Sequence, residues 1–554
     1  MGDQDLQFRC EYVLDPDERD ELGLLTDDDL DDGVWRCPHE RRADDRFCPF
    51  HERPSEVDDD HVTEAFRRVV AGERPTAEDS KNAKQFVGAT FGTLELEHVI
   101  LDSGDRRPID LRYARVTGDV RATAARIQNP VNAAGLVVEG ETGCRNATFE
   151  DGVGLHHAVF AREAAFSGAT FAAETVFADA TFGGQSLFRQ TTFRDGVRFD
   201  GATFRENAKF TTATFGGNGI FRNTEFRGYG WFDGATFEAD AHFLSGTAFE
   251  GKAWFKGVVV EGLARFRNVT FGDEARFHEA TFEDVSIRPT GEGDGTLLID
   301  LKESDIVEGS MDQSDGLRTI YDVEKATLGD VAVNADAEPL AHLDVFDTTF
   351  DGFDFGRREH RESLEASDWA IHEIVTDADE GVRSDADPER SDASGLEVTY
   401  LKAKNGAKRV GYDKAAAEFF RRQMIHRRRA HGRRALTADN WWTRTKAAGR
   451  WAANGLFGLA AGHGERPSRV VGLSITVVLA FAALFAVLWS GTPPYGHSAG
   501  FLLLSLESFV TLVLGGAAEV RNPWWLRLVA EVEGFVGVFL VALFVFTLTR
   551  SIER

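Results

Sequence analysis

FSGATFAAETVFADATFGGQSLFRQTTFRDGVRFDGATF, residues 166–204, places Phe at 166, 171, 177, 182, 188, 193, 199 and 204, alternately 5 and 6 positions apart. Neither the 3.6-residue period of a helix nor the two-residue alternation of a strand produces that beat, so the segment is a repeat architecture. One series of Phe runs every 11 residues from Phe149 to Phe237, and a second is interleaved from Phe166 to Phe243. Two residues before each Phe stands a small or β-branched residue, such as Ala169 before Phe171 and Ala202 before Phe204. Short strands wound into a solenoid account for both rules: Phe points inward at the middle of each face, and the small residue points inward near a corner, where there is little volume.

The pattern resembles the pentapeptide-repeat family. That resemblance implies a right-handed quadrilateral β-helix with four faces per coil. Faces of 5 and 6 residues make each coil about 22 residues, against the family's usual ~20. Upstream, Val116, Ile127 and Val138 keep the 11-residue beat, and Cys144, five residues before Phe149, reads as a small core residue. Phe86, Phe91, Leu96 and Leu101 read as the first coil. Downstream, Phe243, Phe249 and Phe255 contain one extra residue before Val260, Phe266, Phe271, Phe277 and Phe282 restore the pattern. The beat is weak from Ser286 to Gly356, returning at Val345, Phe350 and Phe355. A solenoid over 86–356 would hold about 12 coils at ~4.8 Å, roughly 60 Å in all. No catalytic constellation is visible on it, and an enzyme is not expected.

The end of the chain has a different periodicity. Val470–Trp489 and Leu526–Leu548 each approach the ~20 apolar residues that ~30 Å of hydrocarbon requires. Between them, FLLLSLESFVTLVLGGAAEV (Phe501–Val520) is read as a re-entrant half-helix and loop. The order of these elements, with SLxSFxTL and then GFVGVFLVALFVFTLTR, resembles the two-transmembrane potassium-channel pore module. It covers about Asn454–Arg554, a fifth of the chain. The resemblance implies a homotetramer, a pore helix near Ser498–Val510 containing Glu507, and filter carbonyls from Thr511, Leu512, Val513, Leu514 and Gly515. The permeant ion would be potassium or another monovalent cation. Family members carry Thr-Val/Leu-Gly-Tyr-Gly, so this filter departs at its third and fourth positions; a β-branched Val strongly disfavours the positive φ that Gly allows there. Gly534 and Gly537 are candidate gating hinges. Glu507, an ionisable residue at membrane depth, is expected to lie buried behind the filter. The rival reading is a non-conducting, membrane-tethered scaffold whose solenoid binds an unidentified protein.

At the other end, Cys10, Cys37, His39, Cys48 and His51 fall within 51 residues. In a reducing compartment such a cluster points to metal rather than disulfides, and zinc favours four ligands of this type. Cys10, Cys37, Cys48 and His51 are the expected ligands of a structural zinc, with His39 as alternate or outer-sphere residue.

The chain has 554 residues and a net charge of −29, with 12 Lys and 50 Arg. Abundant carboxylates with so few Lys resemble the proteomes of salt-in haloarchaea, so the acidity describes the solvent more than a partner. Lys402–Arg469 nevertheless carries 17 basic against 4 acidic residues. Placed directly before the first span, it puts both termini in the cytoplasm and implies contact with anionic lipid rather than nucleic acid. The chain lacks a charged start followed by an apolar core, so no signal peptide is expected. The domains read from the sequence are a zinc head (1–54), a short helix and linker (55–84), the β-helix (85–365), an acidic linker (366–396), a basic helical hairpin (397–436), an interfacial helix (437–469) and the two-span module (470–554).

Overall fold

From Thr148–Phe149 to Thr236–Phe237 each Thr-Phe pair of the repeat forms a strand of only two residues, because the β-branched residue suits extended backbone while the inward Phe supplies the burial. Strands Thr148–Phe149, Val153–Gly154, Val159–Phe160 and Ala164–Ala165 make the four faces of one coil, and Thr170–Phe171 returns to the first face. Phe149 pairs in parallel with Phe171, and Phe171 with Phe193, each one 22-residue coil apart. These details come from a computed structural model, which describes residues 9–19, 21–41, 44–52, 58–72, 84–102, 104–272, 274–291, 295–313, 317–335, 338–372, 392–464, 466–490, 492–497, 499–511 and 524–552.

The chain divides into two compact units, one built mainly on Met1–Asp354 and the other mainly on Asp385–Arg554. In the first, a β-solenoid stacks 12 strands on one face alone, from Leu94–Glu95 to Leu343–Asp344. Phe171 and Ala169 are fully buried, as the inward alternation requires. Stacked rings one coil apart lie 4.7 Å from centroid to centroid for Phe182–Phe204 and 5.0 Å for Phe204–Phe226, with planes within 9°. Where Thr takes the small corner slot its hydroxyl must find a partner. Thr191 and Thr224 donate to the carbonyls of Phe166 and Phe199, both at 2.8 Å.

Corners recur every 11 residues as single left-handed residues, among them Asp179, Gln190, Gly201 and Thr212. The extra residue noted between Phe243 and Phe249 is absorbed at one of them, where Ser245 (φ 41°) and Gly246 (φ 91°) are both left-handed. Registry of the side chains survives: Phe226 meets Phe249.

The stretch with the weak beat is solenoid as well. Phe282, Ile306, Leu328 and Phe350 stack in register, so aliphatics fill the Phe slots. Just before this stretch the strands lengthen, up to the 13 residues of Val259–Phe271, whose register against Thr281–Thr290 slips between Val260 and Leu263 and again between Arg267 and Val269. At the other end of the solenoid, Leu96, Val116, Ile127 and Val138 replace Phe and leave an apolar cavity of about 110 Å³, which Cys144 also lines. Burial there pushes the Cys144 thiol up to about 12, the state of an inert core residue. Outside, Arg121–Glu95 at 2.6 Å and Arg145–Glu163 at 2.8 Å link neighbouring coils; exposed to solvent, such pairs are screened and add little to stability.

In the head, a four-residue helix α1 (Pro16–Arg19) follows strand Val13–Leu14, which pairs antiparallel with Trp35–Arg36. Helix α2 (Asp59–Val70) buries Val62, Ala65, Phe66, Val69 and Val70 on one face. Phe66 meets Phe86 and Phe91 of the first coil at 4.7 and 5.7 Å, so head and helix cap a coil that would otherwise expose its core. At the far end of the solenoid, α3 (Arg358–Ala366) brings His360, whose Nε2 accepts from the Val333 N–H at 3.2 Å.

The second unit is helical. Helices α4 (Ala393–Arg409) and α5 (Asp413–Thr437) turn at Gly411 and share Tyr400, which stacks on His426 at 5.3 Å and meets Phe419 at 6.3 Å. Most of the acidic linker, residues 373–391, lies outside the described residues. Helix α6 (Trp441–Ala461) leaves Trp441, Trp442 and Trp451 exposed. After the Gly462–Gly464 turn come α7 (Pro467–Leu488), α8 (Gly500–Thr511) and α9 (Trp524–Ile552). Within these, Pro467–Leu488 and Trp524–Thr549 are long and apolar enough to cross a bilayer.

Candidate functional site

The antiparallel pair in the head sets Cys10 just before one strand and Cys37 just after the other, while the turn Cys48–His51 closes through the His51 N–H donating to the Cys48 carbonyl at 2.9 Å. Four ligand atoms thereby converge: those of Cys10, Cys37, Cys48 and His51 all lie within 4.8 Å of one another. A tetrahedral ion with metal–sulfur bonds of ~2.3 Å sets its sulfurs ~3.8 Å apart. The sulfurs of Cys37 and Cys48 are 3.8 Å apart, and His51 Nδ1 lies 3.2 Å from Cys48 Sγ and 3.7 Å from Cys10 Sγ. A disulfide would need ~2.05 Å. The four residues form a Cys3His cluster able to hold a metal ion.

The surroundings decide between the two histidines. His51 directs Nε2 at the Val87 carbonyl, 3.1 Å away; donating there leaves the Nδ1 lone pair for a metal, as outer-sphere carbonyls commonly arrange. Its ring is stacked on Tyr12 at 3.9 Å. His39 is buried with Nε2 on the Gln85 carbonyl at 2.9 Å and its ring against Phe86, so it stands outside the Cys3His set. Burial lowers its pKa to about 4, keeping it neutral. Backbone N–H groups of Cys48 and His39 point at the Cys10 and Cys37 sulfurs, 3.2 and 3.5 Å away. Without metal, hydrogen bonds from Cys37 and Cys48 hold the Cys10 thiol far below its usual range, while burial pushes the other two up.

Sequence reasoning missed how the head is pinned to the solenoid. Arg112 donates to both oxygens of Asp29 at 2.8 Å and also reaches Asp110, and this guanidinium holds the Asp29 carboxyl well below the carboxylate range. A second gathering, His278, Glu279 and Glu303, is half exposed or exposed, and Lys256 and Lys325 already pair with its acids at 3.4 and 3.9 Å.

In the helical unit, α8 packs against both α7 and α9. Phe509, Leu540, Leu543 and Val470 form one cluster, and Phe485, Leu504, Leu526 and Ala530 another. Gly534 and Gly537 are both buried within α9. A Cβ on Gly537 would stand 2.2 Å from the Phe509 carbonyl oxygen, so the two backbones meet there. Gly537→Ala should therefore force α8 and α9 apart, lowering stability by about 1–3 kcal/mol in thermal unfolding in detergent; an unchanged midpoint would show that the close approach is not real.

Thr511 is the last described residue of α8, and the remaining filter positions, Leu512, Val513, Leu514 and Gly515, lie outside the described residues. Glu507 lies on α8 as expected, but on its exposed side, accepting a hydrogen bond from the Tyr495 hydroxyl. Helical phase is the reason: Leu504, Ser505, Ser508 and Phe509 occupy the inward stripe, and Glu507 falls off it. Among the described residues of the helical unit the buried acid is instead Glu533 on α9. Two carboxylates, Glu531 and Glu533, inside an apolar span were the available signal, and of these Glu531 has Arg527 four positions before it.

The Pentapeptide repeats family matches residues 155–203, 199–243 and 244–290, in 9 copies. The middle of the solenoid is thus made of pentapeptide repeats. No curated protein and no solved structure matches the chain.

Proposed function

We propose that the chain is a membrane protein with a channel-like pore for a monovalent cation, potassium-channel-like in layout but with a degenerate filter. Its solenoid serves sensing or interaction on the cytoplasmic side. The observation that supports this is α8: 12 residues rising ~1.5 Å each reach about 18 Å, too short for a bilayer, yet packed between two helices of spanning length. Exposed apolar side chains on all three, among them Ile475 and Leu479, Leu502 and Leu506, and Phe535 and Phe539, suit lipid or neighbouring subunits. Four subunits would surround the pore, with both termini cytoplasmic, the basic helices α4–α6 on anionic lipid, and Gly534 and Gly537 bending the second span. Zinc is the metal that suits the Cys3His cluster, closed and structural. The acidity fits a cytoplasm at molar salt, where the Debye length falls to ~3 Å.

A tethered scaffold is the second reading, favoured by Val513 standing where the family's first filter Gly belongs. Reconstituted full-length protein should pass potassium or sodium at high salt from a tetrameric peak. Flux no greater than in protein-free liposomes, or a monomer in detergent, would remove the pore and leave the scaffold.

A further inference from the structure

Glu533 is fully buried, and its Oε2 has no hydrogen-bond partner. Its other oxygen meets the hydroxyl of Ser505 on α8. That same hydroxyl reaches the Val478 carbonyl of α7 at 2.8 Å, so one serine joins three helices.

The protons in this trio can be counted. A serine hydroxyl owns one proton, and a backbone carbonyl only accepts. When Ser505 donates to Val478, the proton between Ser505 and Glu533 has to come from the carboxyl group. The opposite assignment leaves a buried carboxylate with one hydrogen bond and one bare oxygen, a costly state without a counter-charge.

No such charge faces it among the described residues. The ionisable side chains described on the three helices, besides Glu533, are Arg469 on α7, Glu507 on α8, and Arg527 and Glu531 on α9. Arg527 and Glu531 pair with each other at 3.3 Å, Glu507 is held by Tyr495, and no ion pair links Arg469 to Glu533. The nearby polar group on the inward stripe is Ser508, buried one turn beyond Ser505 with its hydroxyl unpartnered; it can accept or donate but carries no charge.

We propose that Glu533 is a proton-binding site built into the helical unit, and that its bound proton closes the junction of α7, α8 and α9 through Ser505. On deprotonation the carboxyl O–H bond breaks, the proton passes to solvent water, and the charge left behind drives water into the junction and separates α8 from α9. The binding site rests on the helix packing alone; its consequence for ion passage rests also on the pore reading above.

The test uses the full-length chain in lipid vesicles. Infrared difference spectra of wild type against Glu533→Gln should show the carbonyl stretch of an uncharged carboxylic acid near neutral pH, lost in the variant. On raising pH the band should disappear as a one-proton titration, about tenfold in the acid-to-carboxylate ratio per pH unit. Ser505→Ala should retain the band at a shifted frequency, because the acid loses its partner; this arm stands even where Glu533→Gln fails to fold. If cation flux exists, it should change with the band in wild type and be pH-independent in Glu533→Gln. A band present without flux upholds the proton site and removes the pore. No acid band in wild type, or one unaltered by both substitutions, overturns the proposal.

Discussion

Phe204→Asp is expected to abolish the folded solenoid. Its ring is fully buried and lies in the same column as Phe182 and Phe226. It also meets Phe199 and Phe210 of the adjoining faces at 5.8 and 6.0 Å. Loss of a buried Phe alone costs ~3–5 kcal/mol, and an unpaired carboxylate in an apolar column adds several more, together comparable with the whole stability of a domain. The strands around it are two residues long and hold only through their neighbours, so a broken coil interrupts the stack in both directions. Far-UV circular dichroism and limited proteolysis of the purified chain read the outcome. A soluble, protease-resistant variant with wild-type spectra would mean that residue 204 does not face the core.

The second large effect is loss of metal in Cys48→Ser. The purified chain should contain about one zinc, and the variant close to none. Structural zinc in small sites stabilises by roughly 10–16 kcal/mol, so the head should melt separately from the solenoid once the ion is chelated. The first coil should loosen with it, since the Thr90 N–H donates to the Phe50 carbonyl at 2.7 Å and His39 and His51 reach the carbonyls of Gln85 and Val87. Hydrogen exchange at residues 86–101 should rise in the variant and remain low at residues 182–226. A wild-type chain free of metal, or Cys48→Ser with full zinc, would defeat the assignment.

How much of this was legible depended on what each part of the chain has to fill. The Phe columns were readable because a fixed inward volume recurs at a fixed step. Beyond Ser286 the columns persist with Ile306 and Leu328 in Phe positions, so a pattern sought in Phe fades while the packing does not. In the head, residue type and spacing gave the set Cys10, Cys37, Cys48 and His51; what they could not give is the carbonyls of Gln85 and Val87 that hold His39 and His51, more than 30 residues away. In the helical unit, span length was legible, but the phase of a 12-residue helix separates Ser505 from Glu507 by two positions, and composition carries no phase. The result was attention to Glu507 where the buried acid is Glu533.

Because Phe171 meets Phe193 in the same register as Phe193 meets Phe215, a coil taken out or copied in would find matching neighbours above and below. Gene duplication in units of 22 codons thus changes this protein's length without redesigning its core, while the 23-residue step at Ser245–Gly246 shows that even an odd codon can be retired at a corner. The solenoid is in effect a ruler graduated at ~4.8 Å, and related chains are expected to differ by whole graduations.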